Sequence, residues 1–143
     1  MLNPYALPWP ELLARLLLAL LLGSVVGLDR ELGQKSAGLR TNMLVSLGTA
    51  LFILSTVQSG TTETSSDALP RVIQGVATGV GFVGAGSIFQ RDRVHGLTSA
   101  AAIWVSAAVG VAAALGQWQL GLIGVTLTLI TLRVFKWVES AIK

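Results

Sequence analysis

The amino-acid sequence predicts an all-α integral membrane protein, folded as a single domain over residues 1–143 with about five transmembrane helices. Hydrophobic residues make up 52% of the chain, charged residues make up only 12%, and the mean hydropathy is +0.71. A soluble domain of 143 residues would need much more polar surface than this composition supplies. Because the chain contains no cysteine, disulfide bonds are excluded.

Five apolar segments account for the predicted helices. At about 1.5 Å per residue each covers roughly 25–30 Å, which is enough to cross the hydrocarbon core of a bilayer. The connections between them are short, so we expect neighbouring helices to pack antiparallel. A longer break rich in Ser, Thr and Gly, around residues 60–70, is typical of a surface loop. The segments lie at about residues 12–28, 42–58, 72–90, 97–115 and 119–138.

The distribution of lysine and arginine predicts that the N-terminus lies outside and the C-terminus in the cytoplasm. Basic residues collect in the cytoplasmic loops of membrane proteins. Arg15 and Arg71 fall on the opposite side, each close enough to a helix end to reach polar surroundings. The same rule explains the net charge of +3, so we expect contact with membrane lipid and no nucleic-acid partner. The predicted cytoplasmic basic residues are Arg30, Lys35, Arg40, Arg91, Arg93, Arg133, Lys136 and Lys143.

The hinge between segments one and two holds the densest charge in the chain. Asp29, Arg30, Glu31, Lys35 and Arg40 stand here, out of only ten basic and seven acidic residues in total. Charge near lipid is costly and is usually kept for function. The hinge is therefore the first candidate for a functional site.

Two local features of the hinge predict its backbone structure. Glu31 and Lys35 stand in the favourable i, i+4 order for a helix, so segment one is expected to run on past the membrane until Gly38 breaks it. Thr41 or Asn42 is expected to cap segment two, whose cytoplasmic end is a helix N-terminus.

Three interpretations of the hinge charges stay open at this point. Asp29 and Glu31 could pair with Arg40 in an ion-paired lock that holds the hairpin. The two carboxylates could instead meet a divalent cation such as Mg²⁺, which prefers oxygen ligands. Alternatively, Arg40, Thr41 and Asn42 at the helix start could hold an anion or a lipid phosphate.

Glycines mark segments one and three as helices that can be approached closely. Gly23 and Gly27, and again Gly75 and Gly79, have GxxxG spacing, and Gly81 follows in segment three. Without side chains, helix backbones gain van der Waals contact that lipid does not offer. The glycines predict tight packing of helices within one protomer. The alternatives are that they form a face for self-association into a homo-oligomer, or that they make a deformable helix that lines a conduit.

Polar residues are scarce in the middle of the predicted membrane spans. The spans carry no Asp, Glu or Lys there, and pumps and coupled carriers usually need such groups, so autonomous ion transport is disfavoured. A glycine-lined pore in an oligomer stays open. Trp104 lies near the middle of segment four, and because a buried indole N–H needs an acceptor, we expect it to face protein or a polar cavity.

The sequence gives no positive sign of an enzyme. The only histidine, His95, has just Asp92 nearby, so a solvated loop histidine is favoured over a metal ligand. No nucleophile–base pair, phosphate-cradling loop or Cys/His set is present. We expect no catalytic residue, no metal ligand and no cofactor.

Three blocks of sequence, in order, point to a known family. The hinge reads GLDREL and continues as AGLRTNMLVSLGTALF, segment three contains GVGFVGAGSIF, and segment four begins HGLTSAAAIWVSAAVGVA. Over about residues 15–115 these blocks resemble the MgtC/SapB family of bacterial membrane proteins. The resemblance implies a place in the bacterial inner membrane and a link to magnesium limitation and, in pathogens, to survival inside macrophages. It implies a regulator of the F-type ATP synthase and membrane potential rather than a magnesium transporter.

The resemblance also assigns functional positions. Asp29 stands where relatives often have Glu, which keeps the charge. Many members carry a soluble cytoplasmic domain after the last span, whereas this sequence stops at Lys143. The chain is therefore expected to be the short, membrane-only form. The family signature falls on Arg30, Glu31, Gly38, Arg40, Thr41, Gly81, Gly84, Gly86, Gly96, Thr98 and Trp104, and Asp29, Asn42 and Arg91 join these as functional candidates.

Three functions follow as hypotheses. The first is a non-enzymatic membrane regulator that binds another membrane protein, with the F-type ATP synthase implied by resemblance. The second is a transporter or channel for Mg²⁺ or another small solute. The third is a structural, lipid-organising protein without a specific partner.

Overall fold

The computed structural model describes residues 6–90, 93–94 and 96–142, with side chains described for residues 6–88 and 96–134. A two-stranded antiparallel hairpin joins the fourth and fifth helices, and its first strand takes residues 89–90, which the sequence predicted as the end of the third helix. Its strands are β1 (Phe89–Gln90) and β2 (Arg93–Val94). The helices are α1 (Trp9–Leu32), α2 (Leu39–Gln58), the single-turn α3 (Thr61–Thr64), α4 (Ala68–Ile88), α5 (Leu97–Ala114) and α6 (Trp118–Ile142).

Among the described helices, three are long and apolar enough to cross a membrane, namely α1, α2 and α5. In α6 side chains are described as far as Val134, and this described part, Trp118–Val134, is apolar. α4 is 21 residues long and mostly apolar, but it includes the polar side chains of Arg71 and Gln74. The chain is therefore a helical membrane bundle, while five crossings and the orientation stay predictions.

The centre of the bundle is the contact between α1, α2 and α5. α4 packs against α5 and α2, and α6 packs against α5 and α1. Small side chains dominate the shared core, which lets the helix axes approach closely. The buried apolar residues are Ala19, Leu22, Val26, Ala50, Ile53, Leu54, Ala102, Val109, Ala113, Ala114 and Val125.

Three glycines set how closely these helices approach. A Cβ on Gly23 would lie 2.8 Å from the Cβ of Ser46, and a Cβ on Gly27 would lie 2.8 Å from the Cα of Leu39. On the other side of α2, a Cβ on Gly110 would collide with the carbonyl oxygen of Ser46. α2 is thus held between α1 and α5 at a distance that a larger residue at these positions would not allow.

Two arginines of α1 fix its antiparallel register with α5. At one end, Arg15 donates from Nη1 to the carbonyl oxygen of Ala114 (2.7 Å) and pairs with Glu11. At the other end, Arg30 donates from Nη2 to Ser99 Oγ (2.9 Å). A cation at the last carbonyls of α5 is favourable because a helix C-terminus carries negative partial charge. The end of the bundle that contains Arg30, Ser99 and the linker of residues 33–38 is called the linker face below.

Candidate functional site at the linker face

The linker between α1 and α2 begins earlier than the sequence predicted. α1 ends at Leu32, and Gln34 adopts a left-handed φ of 51°. The helix does run on past the predicted span, which ended at residue 28, but it stops at Leu32 and not at Gly38, because the left-handed Gln34 takes the chain off the helix path. Lys35 therefore lies in the linker, and it does not share a helical face with Glu31.

Glu31 caps α2 from across the linker. Its Oε2 accepts a hydrogen bond from the backbone N–H of Leu39 at 2.9 Å, at the helix end where negative charge is favourable. The prediction that Thr41 or Asn42 caps α2 is wrong, since the helix already begins at Leu39. A Cβ on Gly38 would meet the Glu31 carboxylate, so a larger residue at position 38 would displace this side chain from the cap.

Asp29 pairs with a residue that the sequence did not single out as its partner. Its Oδ1 accepts a hydrogen bond from Arg133 Nε on α6 at 2.7 Å. Arg40 is exposed and has no carboxylate within 4.0 Å among the described side chains. The predicted lock between Arg40 and the two acids is therefore wrong: Glu31 turns to the α2 backbone, and Asp29 turns to α6.

Arg30 is the buried charge of the linker face. It is 5% exposed, and its guanidinium contacts the hydroxyl of Ser99 at the start of α5. Its Nε is buried and has no hydrogen-bond acceptor among the described residues. A buried arginine normally has a carboxylate partner, so this environment is unusual.

Asn42 connects the linker, α2 and α5. Its Nδ2 donates to the carbonyl oxygens of Ala37 (3.1 Å) and Gly38 (2.8 Å), and its Oδ1 accepts from Ser106 Oγ (2.8 Å). The side chain is fully buried, and both ends of the amide are satisfied. Such a network holds the linker in one position relative to the bundle.

Ser46 continues these polar contacts one turn further along α2. Its hydroxyl donates to the carbonyl oxygen of Ala19 in α1 at 2.7 Å, and the residue is fully buried. With Asn42 it gives α2 a polar edge that contacts both neighbouring helices.

Two clefts open at the linker face and share Lys35. The α1–α6 cleft has a volume of about 290 Å³, and the α1–α2 cleft has a volume of about 670 Å³. Asp29 lines the first and Glu31 the second, so the two carboxylates do not meet at one cation. Within the described chain no group of three or more His, Cys, Asp or Glu could hold a metal. The α1–α6 cleft is lined by Asp29, Arg30, Leu32, Gly33, Lys35, Leu132 and Arg133, and the α1–α2 cleft by Glu31, Lys35, Ser36, Gly38, Leu39, Arg40 and Thr41.

The candidates on α4 and at the start of α5 include Gly96, which lies next to the linker, since a Cβ on it would be 3.4 Å from Ser36 Oγ. Gly84 is buried against Ala100, and Thr98 is exposed in the first turn of α5. Gly96 has a φ of 90°, and a Cβ on it would lie 2.6 Å from the carbonyl oxygen of Ser87. Glycine at position 96 is thus required both by the backbone conformation and by the close passage of α4.

Trp104 does not face a polar cavity. It is 55% exposed and lines an apolar groove of about 190 Å³ between α4 and α5, together with Ile73, Val76 and Ala107. The expectation is wrong because the small residues of α5 direct its buried face toward α1 and α2, which leaves the indole on the outside.

Four of the five glycines of α4 have open space beside them in the described structure. No heavy atom outside the helix backbone would lie within 4 Å of a Cβ on Gly75, Gly79, Gly81 or Gly86. Gly23 and Gly27 of α1, by contrast, lie directly against α2. The same GxxxG spacing thus lies on a packed face of α1 and on an open face of α4.

Several contacts were not predictable as pairs. Ser99 and Arg133 were not proposed as partners of hinge residues, although the positive-inside rule had placed Arg133 on the same side as the hinge. Ser106 is a polar residue within the apolar segment 97–115, and nothing in the sequence pairs it with Asn42. Arg91 and His95 lie outside the described residues.

The sequence of this chain is similar to those of known proteins. The model of the MgtC family matches residues 16–141. Protein SrpB of Synechococcus elongatus is 49% identical over 139 residues, covering 90% of this chain and 76% of SrpB. YhiD of Escherichia coli strain K12, whose name assigns magnesium transport provisionally, is 40% identical over 130 residues, covering 87% of this chain and 60% of YhiD.

A third relative is MgtC of Salmonella typhimurium, which is 45% identical over 105 residues. That match covers 73% of this chain and 43% of MgtC, so this chain spans less than half the length of that protein. No solved structure matches the chain significantly.

Proposed function

The chain belongs to the MgtC family, and we propose that it is a non-enzymatic regulatory protein of the bacterial inner membrane, acting in adaptation to low magnesium. The protein exerts this regulation by binding another membrane protein through its helices. The F-type ATP synthase is the partner that the family resemblance suggests. The name of the relative YhiD supports the link to magnesium, and the long apolar helices support the membrane setting.

The open face of α4 is the observation that carries the binding part of the proposal. Gly75, Gly79, Phe82 and Gly86 follow one another at spacings of three or four residues, so they share one face of the helix. Phe82 is 84% exposed, and the three glycines have no neighbouring atoms in the described protomer. A helix of another protein can approach such a face closely and pack around the phenyl ring.

Crosslinking in native membranes tests this proposal. We expect the wild-type protein to retain subunits of a membrane protein, with the ATP synthase examined first, and Gly79→Leu to lose most of that recovery. Leucine on the open face blocks close approach without disturbing the protomer, because the position has free space around it.

Gly48→Leu is the matched control. Gly48 is also a helical glycine with no neighbour within 4 Å, but it lies on α2. It should keep the partner at wild-type level. Recovery of no partner above background, or equal loss in both variants at matched expression, would refute binding through α4.

A second function, transport of Mg²⁺ or another small solute, is favoured by the name of YhiD. Reconstituted liposomes decide between the two functions. Protein-dependent flux that falls in Asp29→Asn or Glu31→Gln, but not in Glu63→Gln of the exposed α3, would establish transport. Absence of flux under gradients of either sign would exclude it.

A further inference from the structure

Independently of the proposed function, we propose that the α1–α6 cleft binds a phosphate group, of the kind carried by an anionic phospholipid headgroup or by inorganic phosphate. The cleft has a volume of about 290 Å³ and is bordered by charged side chains from α1, the linker and α6. Four features lead to this ligand: a buried cation with no described carboxylate within 4.0 Å, an excess of positive charge, the geometry of guanidinium, and an apolar rim.

Arg30 is a cation in need of an anion. It lines the cleft and is 5% exposed, yet no described carboxylate lies within 4.0 Å of its guanidinium. Its contact with Ser99 is to a neutral hydroxyl, and its Nε has no acceptor in the described part of the chain. Burying a charged group without a partner is costly, so a bound anion would complete the site.

Asp29, the carboxylate in the lining of this cleft, is already engaged. It accepts a hydrogen bond from Arg133 Nε on α6 at 2.7 Å. Arg30, Lys35 and Arg133 thus face a single carboxylate in the cleft lining. The lining therefore carries three positive charges against one negative charge, and this excess favours an anionic ligand.

Guanidinium groups suit phosphate in particular. Their N–H donors form a planar fork that matches two phosphate oxygens, whereas the ammonium of Lys35 acts as a mobile point charge. Lys35 is exposed in the linker and is free to close over a ligand.

The apolar rim of the cleft is compatible with a lipid. Leu32 and Leu132 line it beside the charges, and Leu32 is 73% exposed. The cleft lies at the end of α1, a helix long enough to cross a membrane. In a membrane this is the depth of the headgroups, so a phosphate in the cleft could bring its acyl chains along these leucines.

Ligand binding to the full-length protein in dodecyl maltoside micelles tests the proposal. Native mass spectrometry would compare phosphatidylglycerol, phosphatidylcholine with the same acyl chains, and inorganic phosphate. We expect tighter binding of phosphatidylglycerol than of phosphatidylcholine, because choline cancels the phosphate charge. Lys35→Gln should lower that affinity about fivefold, as expected for one basic residue at an anionic headgroup. Arg133→Gln should lower it further, since it removes one cation and releases Asp29.

Arg40→Gln is the control, because Arg40 is exposed at the linker face but lines only the α1–α2 cleft. It should leave binding unchanged. If inorganic phosphate binds with the same dependence on Lys35 and phosphatidylglycerol has no advantage over phosphatidylcholine, the ligand is free phosphate. If all three ligands fail to bind specifically, or if Arg40→Gln weakens binding as much as Lys35→Gln and Arg133→Gln, the cleft is not a phosphate site.

Discussion

At the scale of single residues, the buried amide of Asn42 does more than the sequence indicated. It was expected to cap its own helix, but its amide nitrogen holds the linker carbonyls and its oxygen accepts from Ser106. The sequence could identify Asn42 as a polar residue at a helix start. It could not identify Ser106 as the partner, because 64 positions separate them and only the packing of α5 on α2 brings them together.

Asn42→Ala should lower the free energy of unfolding by about 2–3 kcal/mol, because the Ala37 carbonyl and the Ser106 hydroxyl lose this partner, while the Gly38 carbonyl keeps only its backbone hydrogen bond. Ser106→Ala should cost about 1 kcal/mol. The double variant should cost less than the two changes summed, since they remove a shared hydrogen bond. Reversible unfolding in mixed detergent micelles measures these values.

Ser55→Ala serves as the control for this series. The Ser55 hydroxyl is exposed and bonds only to the carbonyl of Phe52 in its own helix. Its removal should change stability by less than about 0.5 kcal/mol. An Asn42→Ala protein as stable as Ser55→Ala would show that the amide network does not hold the linker.

At the scale of helices, glycine spacing has two different structural outcomes. Gly23 and Gly27 lie against α2, whereas Gly75 and Gly79 have no neighbours in the described protomer. The sequence predicted close approach at both places. It could not say which face is used within the protomer, because that choice depends on which helix is adjacent, and α5 rather than α4 shares the core with α1.

Gly23→Ala should destabilise the bundle by about 1–3 kcal/mol. The added methyl group would lie 2.8 Å from the backbone of Asn42 and from Ser46 Cβ, so the α1–α2 contact must open. Gly48→Ala, in free space on α2, should be neutral or should stabilise by up to about 1 kcal/mol through its helix propensity. Thermal unfolding of the two variants side by side measures the difference, and equal melting temperatures would contradict close α1–α2 packing.

At the scale of the whole molecule, long-range polar contacts join the ends of the bundle. Arg15 reaches the last turn of α5, Arg30 reaches its first turn, and Asp29 joins α1 to α6. The positive-inside rule placed Arg30, Asp29 and Arg133 on one side, and the structure groups them at one face. The side of the membrane on which that face lies is a further prediction of the charge pattern.

The orientation can be tested directly because the chain contains no cysteine. Lys35→Cys and Thr61→Cys place single thiols at exposed positions on opposite connections, the linker and the start of α3. If the linker face is cytoplasmic, a membrane-impermeant maleimide applied to intact spheroplasts should label Thr61→Cys and spare Lys35→Cys until the membrane is opened. The reverse labelling pattern would invert the predicted topology.

The sequence by itself determined the class of the protein, the positions of its long helices, its family and the location of its rare charges. The class and the helices follow from composition and hydropathy along the chain, and the family follows from the resemblance of three sequence blocks. All of these depend on residues near one another in the chain. Only the tertiary structure decided the partners of those charges: Glu31 with the α2 backbone, Asp29 with Arg133, and Arg30 with Ser99. Side chains of similar charge compete for the same partners, and the choice among them is made by helix packing, which brings together residues far apart in the sequence. The same packing left Arg30 buried with no carboxylate within 4.0 Å in the described part of the chain, which no count of charges could have indicated.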